Sequence, residues 1–192
     1  MKKSKKNDEI YSTIEPLDNS GVAGVYDILR SVLISASILI LIITFVFTMV
    51  IVDGRSMQHT LESGDKIIVT KMGYQPKDGD VIVVGKSEEG YSKPIVKRVI
   101  ATEGQTLEID FENQQVIVDG KVLDEPYISS ETIEGTAEIP EVIPEGYVFV
   151  MGDNRYISMD SRYKDIGLVN VDDIVGKAVF VVFPFDRFGF IE

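Results

Sequence analysis

A serine that follows a glycine-containing turn is the first group in this 192-residue chain that could do chemistry. Ser56 lies in the stretch GRSMQHTL, residues 54–61, two positions after Gly54. Glycine permits backbone conformations that can present a nearby hydroxyl at a strand edge, and a serine hydroxyl becomes a nucleophile when an adjacent base takes its proton. The pattern alone is weak, because most loop serines only hydrogen-bond to the backbone or to water.

The candidate base is Lys97, in the stretch KPIVKRVIA over residues 93–101. Strand alternation puts Lys97 on one face with Ile95 and Val99, and turns Arg98 to the other face. Burial on an apolar face lowers the pKa of a lysine, which then becomes a general base near neutral pH. From periodicity alone we favour the alternative, in which Lys97 extends its ammonium group from a sheet edge into solvent.

A third stretch, GDNRYISMDSR over residues 152–162, follows a predicted strand and is crowded with short polar side chains. Such residues build loops through local hydrogen bonds. Asp160 and Arg162 could form an ion pair that braces this loop. An ordinary turn or a cation-binding loop is also open, although Asp153, Asp160 and Asp165 lack the regular oxygen spacing of an EF-hand.

His59 is the single histidine of the chain and raises the possibility of a serine–histidine mechanism. Three residues from Ser56 in extended backbone, its ring need not reach the hydroxyl, and no carboxylate partner is implied. The sequence predicts a histidine at the surface or at the rim of a substrate site.

The element that precedes Ser56 is an apolar run over residues 31–52 without a charged residue. A helix of that length covers about 33 Å, and the hydrocarbon core of a bilayer is about 30 Å thick. The run is longer than the apolar region of a cleavable signal peptide, about 7–15 residues, and a chain this small has no core able to surround it. We predict a membrane-spanning helix over 31–52, after an N-terminal tail over 1–30.

Charge divides unevenly about that run. Five basic and five acidic residues cancel within residues 1–52, so the whole net charge of −12 lies in residues 53–192. An acidic domain argues against nucleic acid as a partner, since phosphate binding needs a cationic face. The lysines at positions 2, 3, 5 and 6 favour a cytoplasmic N-terminus, but they lie too far from the span for charge to decide the orientation. The absence of cysteine excludes disulfides.

Residues 53–192 contain short segments rich in β-branched and aromatic residues, separated by turn signals. We predict strands over 66–71, 80–84, 95–101, 106–109, 116–118, 121–123, 147–151 and 178–183. Asp119-Gly120 predicts a hairpin, and residues 128–145 are interpreted as an acidic surface excursion. Many short strands and no long helix predict one all-β domain.

In this order, after an N-terminal apolar span, the three stretches resemble the conserved boxes of the bacterial type I signal peptidases. The matching patterns are Ser-Met-x-x-Thr-Leu, Lys-Arg-Val and Gly-Asp-Asn-Arg-x-x-Ser-x-Asp-Ser-Arg. The late stretches 174–178 and 183–185 are similar to the closing strand of that family. The resemblance implies a mainly β fold: a single N-terminal transmembrane helix followed by an all-β, signal-peptidase-like catalytic domain over 53–192.

The resemblance also implies a Ser–Lys dyad, a known variant of the triad. By this carry-over Ser56 is the nucleophile and Lys97 the general base, with no metal or organic cofactor. The other implied roles are a hydrogen bond from Ser158 that orients the lysine, a supporting ion pair of Asp160 with Arg162, loop shaping by Gly152, Asp153 and Asn154, and lining of the substrate cleft by Met57.

Two positions depart from the family pattern. The family usually has proline where this chain has His59. Gly54 lacks the side-chain hydroxyl that some members place there to assist the oxyanion hole. We therefore expect the backbone N–H of Ser56 to stabilise the oxyanion, a contribution of about 10²–10³ in rate for one donor.

The resemblance implies a single-pass enzyme of the plasma membrane, with its catalytic domain on the extracytoplasmic side. Its function would be the removal of signal peptides from exported preproteins, and its partners would be signal peptides and the lipid bilayer. A narrow-substrate Ser–Lys maturation protease and a catalytically silent, membrane-tethered module that binds signal peptides are the alternatives. The C-terminal phenylalanines 183, 185, 188 and 190 are a candidate membrane-touching edge, whereas Phe180 is predicted to be core.

Overall fold

The computed structural model describes residues 20–71, 73–85 and 93–191. By its internal contacts the chain divides into two compact units, residues 1–43 and 44–192. Most of the predicted N-terminal tail, residues 1–19, lies outside the described residues.

The N-terminal helix, α1, spans Ser20–Val46. From Gly24 to Val46 it is long and apolar enough to cross a membrane, with a mean hydropathy of 2.4. Its large apolar side chains, such as Leu33, Ile40 and Phe45, are exposed. Exposed apolar side chains on every face are expected of a helix whose surroundings are themselves apolar.

The predicted helix bounds, 31–52, are wrong at both ends. The helix begins at Ser20, and Phe47–Ile51 form a strand, β1. β1 pairs antiparallel with the strand Lys66–Thr70, from Phe47 opposite Thr70 to Ile51 opposite Lys66. The sequence FTMVI is as apolar as the helix before it, so hydropathy could not detect the change. The strand that pairs with β1 lies further along the chain, and this pairing decides that residues 47–51 form a strand.

The second unit is built around one large antiparallel sheet. Its remaining strands are β2 (Lys66–Thr70), β3 (Val81–Val84), β4 (Ile95–Ala101), β8 (Tyr147–Met151), β9 (Val169–Asn170), β10 (Ile174–Phe183) and β11 (Gly189–Phe190). The order is β1-β2-β10-β3-β4-β8-β9, with β11 on β10. A separate three-stranded sheet contains β5 (Leu107–Asp110), β6 (Gln115–Val118) and β7 (Lys121–Val122).

All eight predicted strands are present, so the mainly β prediction is confirmed. The strand patterns missed β1, β9, β11 and two 3₁₀ turns at Val171–Asp173 and Phe185–Arg187. They also missed the first four residues of β10, which only the family resemblance assigned to a closing strand. Gly176 in β10 explains part of the miss, since glycine is a weak strand former. A Cβ atom there would overlap the carbonyl oxygen of Thr70 on the neighbouring strand, so this close approach admits only glycine.

Three apolar clusters hold the sheet in place. One joins Met57 and Leu61 to side chains of β2, β3 and β10, among them Ile67 and Val69. A second packs the three-stranded sheet against β4 and β8, and a third lies on β3, β4, β8 and β9. β4 therefore runs through the middle of the core, with β3 and β8 as neighbours.

Candidate active site

Ser56 lies in a turn after β1, and residues 56–60 are called the Ser56 turn below. Met57 is 1% exposed and Leu61 is fully buried in the first apolar cluster. The N–H of Leu61 donates to the carbonyl of Met57 at 2.8 Å. Ser56 itself is half-buried, between the exposed Arg55 and the buried Met57, and it lines a cleft.

Lys97 is 3% exposed on β4, opposite Ile82 of β3. The interpretation as an edge lysine is wrong, because β4 has a strand on each side. Burial lowers the pKa of Lys97 to about 8; Arg162 contributes in the same direction, while Asp160 and Asp153 oppose it. An amine in this environment is partly neutral near physiological pH and can accept a proton.

Arg98 is buried as well, on the opposite face of β4. Its guanidinium donates to the Asp153 carboxylate at 2.9 and 2.7 Å and to the carbonyl of Gly79 at 2.7 Å. It also lies 3.8 Å from the ring centroid of Tyr127. No role for Arg98 was predicted from the sequence; two adjacent cations in an apolar strand were the available signal.

The loop 152–162 is organised by the predicted ion pair between Asp160 and Arg162. The Asp160 oxygens accept from the guanidinium at 2.8 and 2.9 Å, and both side chains are fully buried. Asp160 also accepts from the N–H of Gly152 at 3.0 Å, and Arg162 donates to the carbonyl of Arg155 at 2.7 Å. Since arginines already occupy Asp153 and Asp160, the cation-binding alternative finds no support.

Gly152 brings the Ser56 turn and Ser158 together. A Cβ atom at Gly152 would overlap both the Ser158 hydroxyl and the carbonyl oxygen of Ser56, so any other residue would force them apart. The Ser158 side chain is buried, and its hydroxyl has no hydrogen-bond partner among the described residues. The expected hydrogen bond between Ser158 and Lys97 is therefore not formed in this structure.

Backbone and side-chain bonds join the loop 152–162 to the Ser56 turn directly. The N–H of Asn154 donates to the carbonyl of Ser56 at 2.9 Å, and the Thr60 hydroxyl donates to Asp153. Because Asp153 also binds Arg98, one carboxylate connects all three stretches singled out in the sequence. His59 is exposed, as predicted.

A cleft of about 210 Å³ opens beside Ser56. Met57, a predicted cleft residue, is part of its lining, with Val52 of the segment after β1 and Val83 and Val96 of neighbouring strands. Its walls are mostly apolar, and its volume admits small side chains. A serine hydroxyl beside such a cleft can perform acyl transfer on a peptide when an amine base takes its proton.

Residues 125–137 contact the loop 152–162, and all but the first three belong to the surface excursion predicted over 128–145. These residues, called the bracing segment below, lie along that loop. Glu125 pairs with Arg155, and the carbonyl of Ile133 accepts from Arg162 at 2.8 Å. Thr132 is buried and accepts from Arg155 at 3.2 Å. These partners lie 23–30 positions away, so no local pattern could have revealed them.

The chain has similar sequences and a similar structure among known proteins. Residues 25–183 match the family described as signal peptidase, peptidase S26. Signal peptidase I of Bacillus caldolyticus is 38% identical over 76% of this chain and 85% of that protein. Signal peptidase I T of Bacillus subtilis is 35% identical over 82% and 85%, and signal peptidase IB of Staphylococcus aureus is 33% identical over 82% and 89%. The crystal structure of a signal peptidase I from Enterococcus faecalis aligns with 54% of this chain and 97% of that chain, at 27% identity and a TM-score of 0.44.

Proposed function

We propose a catalytic mechanism for this chain, which belongs to the signal peptidase family, peptidase S26. It is a serine endopeptidase that cleaves signal peptides from preproteins. Ser56 and Lys97 form its catalytic dyad. The observation that carries the proposal is the buried amine of Lys97, whose pKa falls to about 8, on a strand joined through Arg98 and Asp153 to the Ser56 turn.

In the first step the Ser56 hydroxyl gives its proton to the neutral amine of Lys97, and its oxygen attacks the carbonyl carbon of the scissile peptide bond. The backbone N–H of Ser56 stabilises the negative oxygen of the tetrahedral intermediate. Lys97 then gives the proton to the leaving amine, the C–N bond breaks, and the signal peptide remains as an ester on Ser56. Water attacks this ester and loses its proton to Lys97. The ester C–O bond then breaks, the signal peptide leaves with a free carboxylate, and Lys97 returns the proton to the Ser56 oxygen.

Ser158 accepts a hydrogen bond from Lys97 during this cycle. Its buried hydroxyl lacks a partner among the described residues in the resting state, and a buried unpaired polar group is costly. When Lys97 carries the proton, the Ser158 oxygen is an acceptor for the ammonium. Apo sites often tighten such bonds only in the reacting complex.

The lining of the cleft of about 210 Å³ supports selection for apolar residues before the cut. Met57 and the valines at positions 50, 52, 83 and 96 in its walls favour apolar groups. Small side chains, typically alanine, at the first and third positions before the scissile bond are the expected substrates.

The chain is anchored as a single-pass protein of the plasma membrane, with α1 as its span. The tail before α1 lies in the cytoplasm and the catalytic unit on the other side. The lysine cluster at positions 2–6 supports this orientation weakly. Because the chain has no cysteine, one cysteine introduced at Lys121 tests it: a membrane-impermeant thiol reagent should label that cysteine in intact cells.

Cleavage of a preprotein by Ser56→Ala and Lys97→Met variants tests the dyad. Both are expected to lower kcat/KM at least about 10³-fold, since a dyad acts as a unit. Lys121→Ala, an exposed lysine on β7, is the matched control and should cleave normally. Normal processing by either dyad variant would contradict the proposal.

Two further measurements separate the alternative functions. A wild-type chain that binds signal peptides saturably without turnover would be a silent binding module. Depletion of the protein in cells, followed by identification of accumulated precursors, addresses the narrow maturation protease, for which a single precursor would accumulate.

A further inference from the structure

The Ser56 turn is bound from outside by a serine of the bracing segment. The Ser129 hydroxyl donates to the carbonyl of Gln58 at 2.8 Å, two residues after Ser56. The N–H of Ser129 donates to the carbonyl of Asp153 at 3.1 Å. One residue therefore ties the Ser56 turn to the loop that contains Asp153, and does so across 71 positions of sequence.

An arginine from the C-terminal end of the chain binds the other half of the turn. Arg187 donates through one terminal nitrogen to the carbonyls of Thr60 at 3.1 Å and His59 at 3.4 Å. Its Nε donates to Asp65 at 3.1 Å. Asp65 is 1% exposed and also accepts from the N–H of Glu62 at 2.8 Å. A fixed, buried carboxylate thus orients the guanidinium toward the turn.

These contacts hold residues 58–60, whose side chains are not fully buried. Met57 is buried, which fixes the start of the turn, but Gln58 is only half-buried and His59 is exposed. The backbone carbonyls of the second half of the turn are bound by Ser129 and Arg187, in addition to the bond from the Thr60 hydroxyl to Asp153. Reactive geometry must be kept within about 0.5 Å to be productive, so contacts that fix the rest of this turn bear on the position of the Ser56 hydroxyl and N–H.

We propose that Ser129 and Arg187 are positioning residues of the active site. By holding the carbonyls of Gln58, His59 and Thr60, they fix the direction in which the Ser56 hydroxyl and backbone N–H point. Neither residue contributes to the lining of the cleft beside Ser56, so they act on the rate of the chemical step and leave substrate binding unchanged. This inference rests on the proposed role of Ser56 as the nucleophile.

Steady-state kinetics on the full chain in detergent–phospholipid micelles test the proposal, with a peptide that spans a signal-peptide cleavage site. The variants are Ser129→Ala, Arg187→Gln and their double variant. We expect each single change to lower kcat about 10-fold to 100-fold, because an error of about 1 Å can cost 10²-fold. KM should stay within about twofold, and the inflection near pH 8 should not move, since neither residue touches Lys97.

The double variant adds a second readout. Because both residues hold one turn, the combined loss should be smaller than the product of the single losses, as is usual for coupled sites. Thr136→Ala is the matched control within the bracing segment: its exposed hydroxyl accepts from Lys164 and does not reach the Ser56 turn. It should keep wild-type kcat.

Arg187→Lys separates charge from geometry. A lysine can pair with Asp65, but its ammonium lacks the planar fork that reaches the carboxylate and both carbonyls together. We expect this variant to retain the melting temperature of the wild type and still lose kcat. If Arg187→Lys retains the kcat of the wild type, Arg187 is not a positioning residue.

Other results overturn the inference outright. They are single-variant kcat values within about twofold of wild type, a loss confined to KM, a loss that tracks the unfolded fraction, or a shift of the inflection near pH 8. Ser56→Ala is measured beside them. If it still turns over substrate, the proposed function itself fails; if it is inactive while both positioning variants are fully active, only this inference fails.

Discussion

Two regions of the catalytic unit reverse the usual distribution of polar and apolar side chains. Around the loop 152–162, three arginines and their carboxylate partners are buried. At the C-terminal end, Phe185, Phe188 and Phe190 are 78%, 60% and 82% exposed. Proteins rarely bury charges or expose contiguous aromatics without a functional reason. The comparison suggests two hypotheses: that the first region organises the proposed catalytic residues, and that the second contacts a partner.

The buried region is stable only because every arginine has a carboxylate. Arg98 pairs with Asp153, Arg155 with Glu125, and Arg162 with Asp160. Such pairs add little net stability over apolar groups, but the loss of one partner is severe. In return they hold the loop in one arrangement and set the charges that surround Lys97.

The exposed region is an aromatic cluster without a cover among the described residues. The rings of Phe188 and Phe190 meet Phe180 edge to face, with centroids at 4.7 and 4.9 Å. Phe180, predicted to be core, is only half-buried beneath them. We propose that this cluster contacts the lipid surface, the partner to which α1 would also bind.

The largest expected effect comes from breaking a buried pair. Asp160→Asn leaves the Arg162 guanidinium buried without a counter-charge, and we expect the free energy of unfolding to fall by about 3–5 kcal/mol. Urea denaturation of the full chain in non-ionic detergent measures it. Asp124→Asn, at an exposed carboxylate, is the control and should not differ from wild type. If Asp160→Asn changes the free energy of unfolding as little as Asp124→Asn does, the buried ion pairs do not stabilise this region.

The next effect is the pH dependence that burial imposes on Lys97. Because its pKa is lowered to about 8, the amine is mostly neutral above pH 8 and mostly protonated below. We expect kcat/KM to fall about tenfold per pH unit below the inflection, since only the neutral amine is a base. Measurement from pH 6 to pH 10 gives the inflection.

A variant at Arg162 sharpens this test. The Arg162 charge helps to lower the pKa of Lys97, so Arg162→Met, where it folds, should move the inflection to higher pH. A rate that is constant between pH 6 and pH 9 in the wild type would exclude Lys97 as the base.

The smallest effect concerns the exposed aromatic cluster. The chain contains no tryptophan, so Phe188→Trp introduces a single fluorophore. In proteoliposomes with brominated lipid we expect its emission to be quenched about twofold or more. Glu112→Trp, at the exposed turn between β5 and β6, is the control and should be unaffected. Equal emission of both variants with and without bromine would contradict lipid contact by the cluster.

Sequence patterns predicted the features that depend on residues close together in the chain. The ion pair of Asp160 with Arg162 spans two positions, and strands such as β4 and β8 match their predicted bounds. The order of the three chemical stretches was enough to indicate the family. The roles of Ser56 and Lys97 remain predictions, for which the kinetic tests above are designed.

Features that depend on distant partners escaped prediction. The switch from α1 to β1 within one apolar run is decided by pairing with β2. The burial of Lys97 follows from two strands that flank β4. The contacts of Ser129 and Arg187 join residues 71 and about 127 positions apart.

By itself, then, the amino-acid sequence determined the apolar helix, most strands and the order of the reactive groups, because propensity and periodicity act over a few residues. Tertiary structure alone decided which cations are buried, where the helix ends and what holds the Ser56 turn. The burial and the hydrogen bonds of a side chain depend on the residues that surround it in the folded protein. Those surroundings come from segments whose register no local pattern encodes.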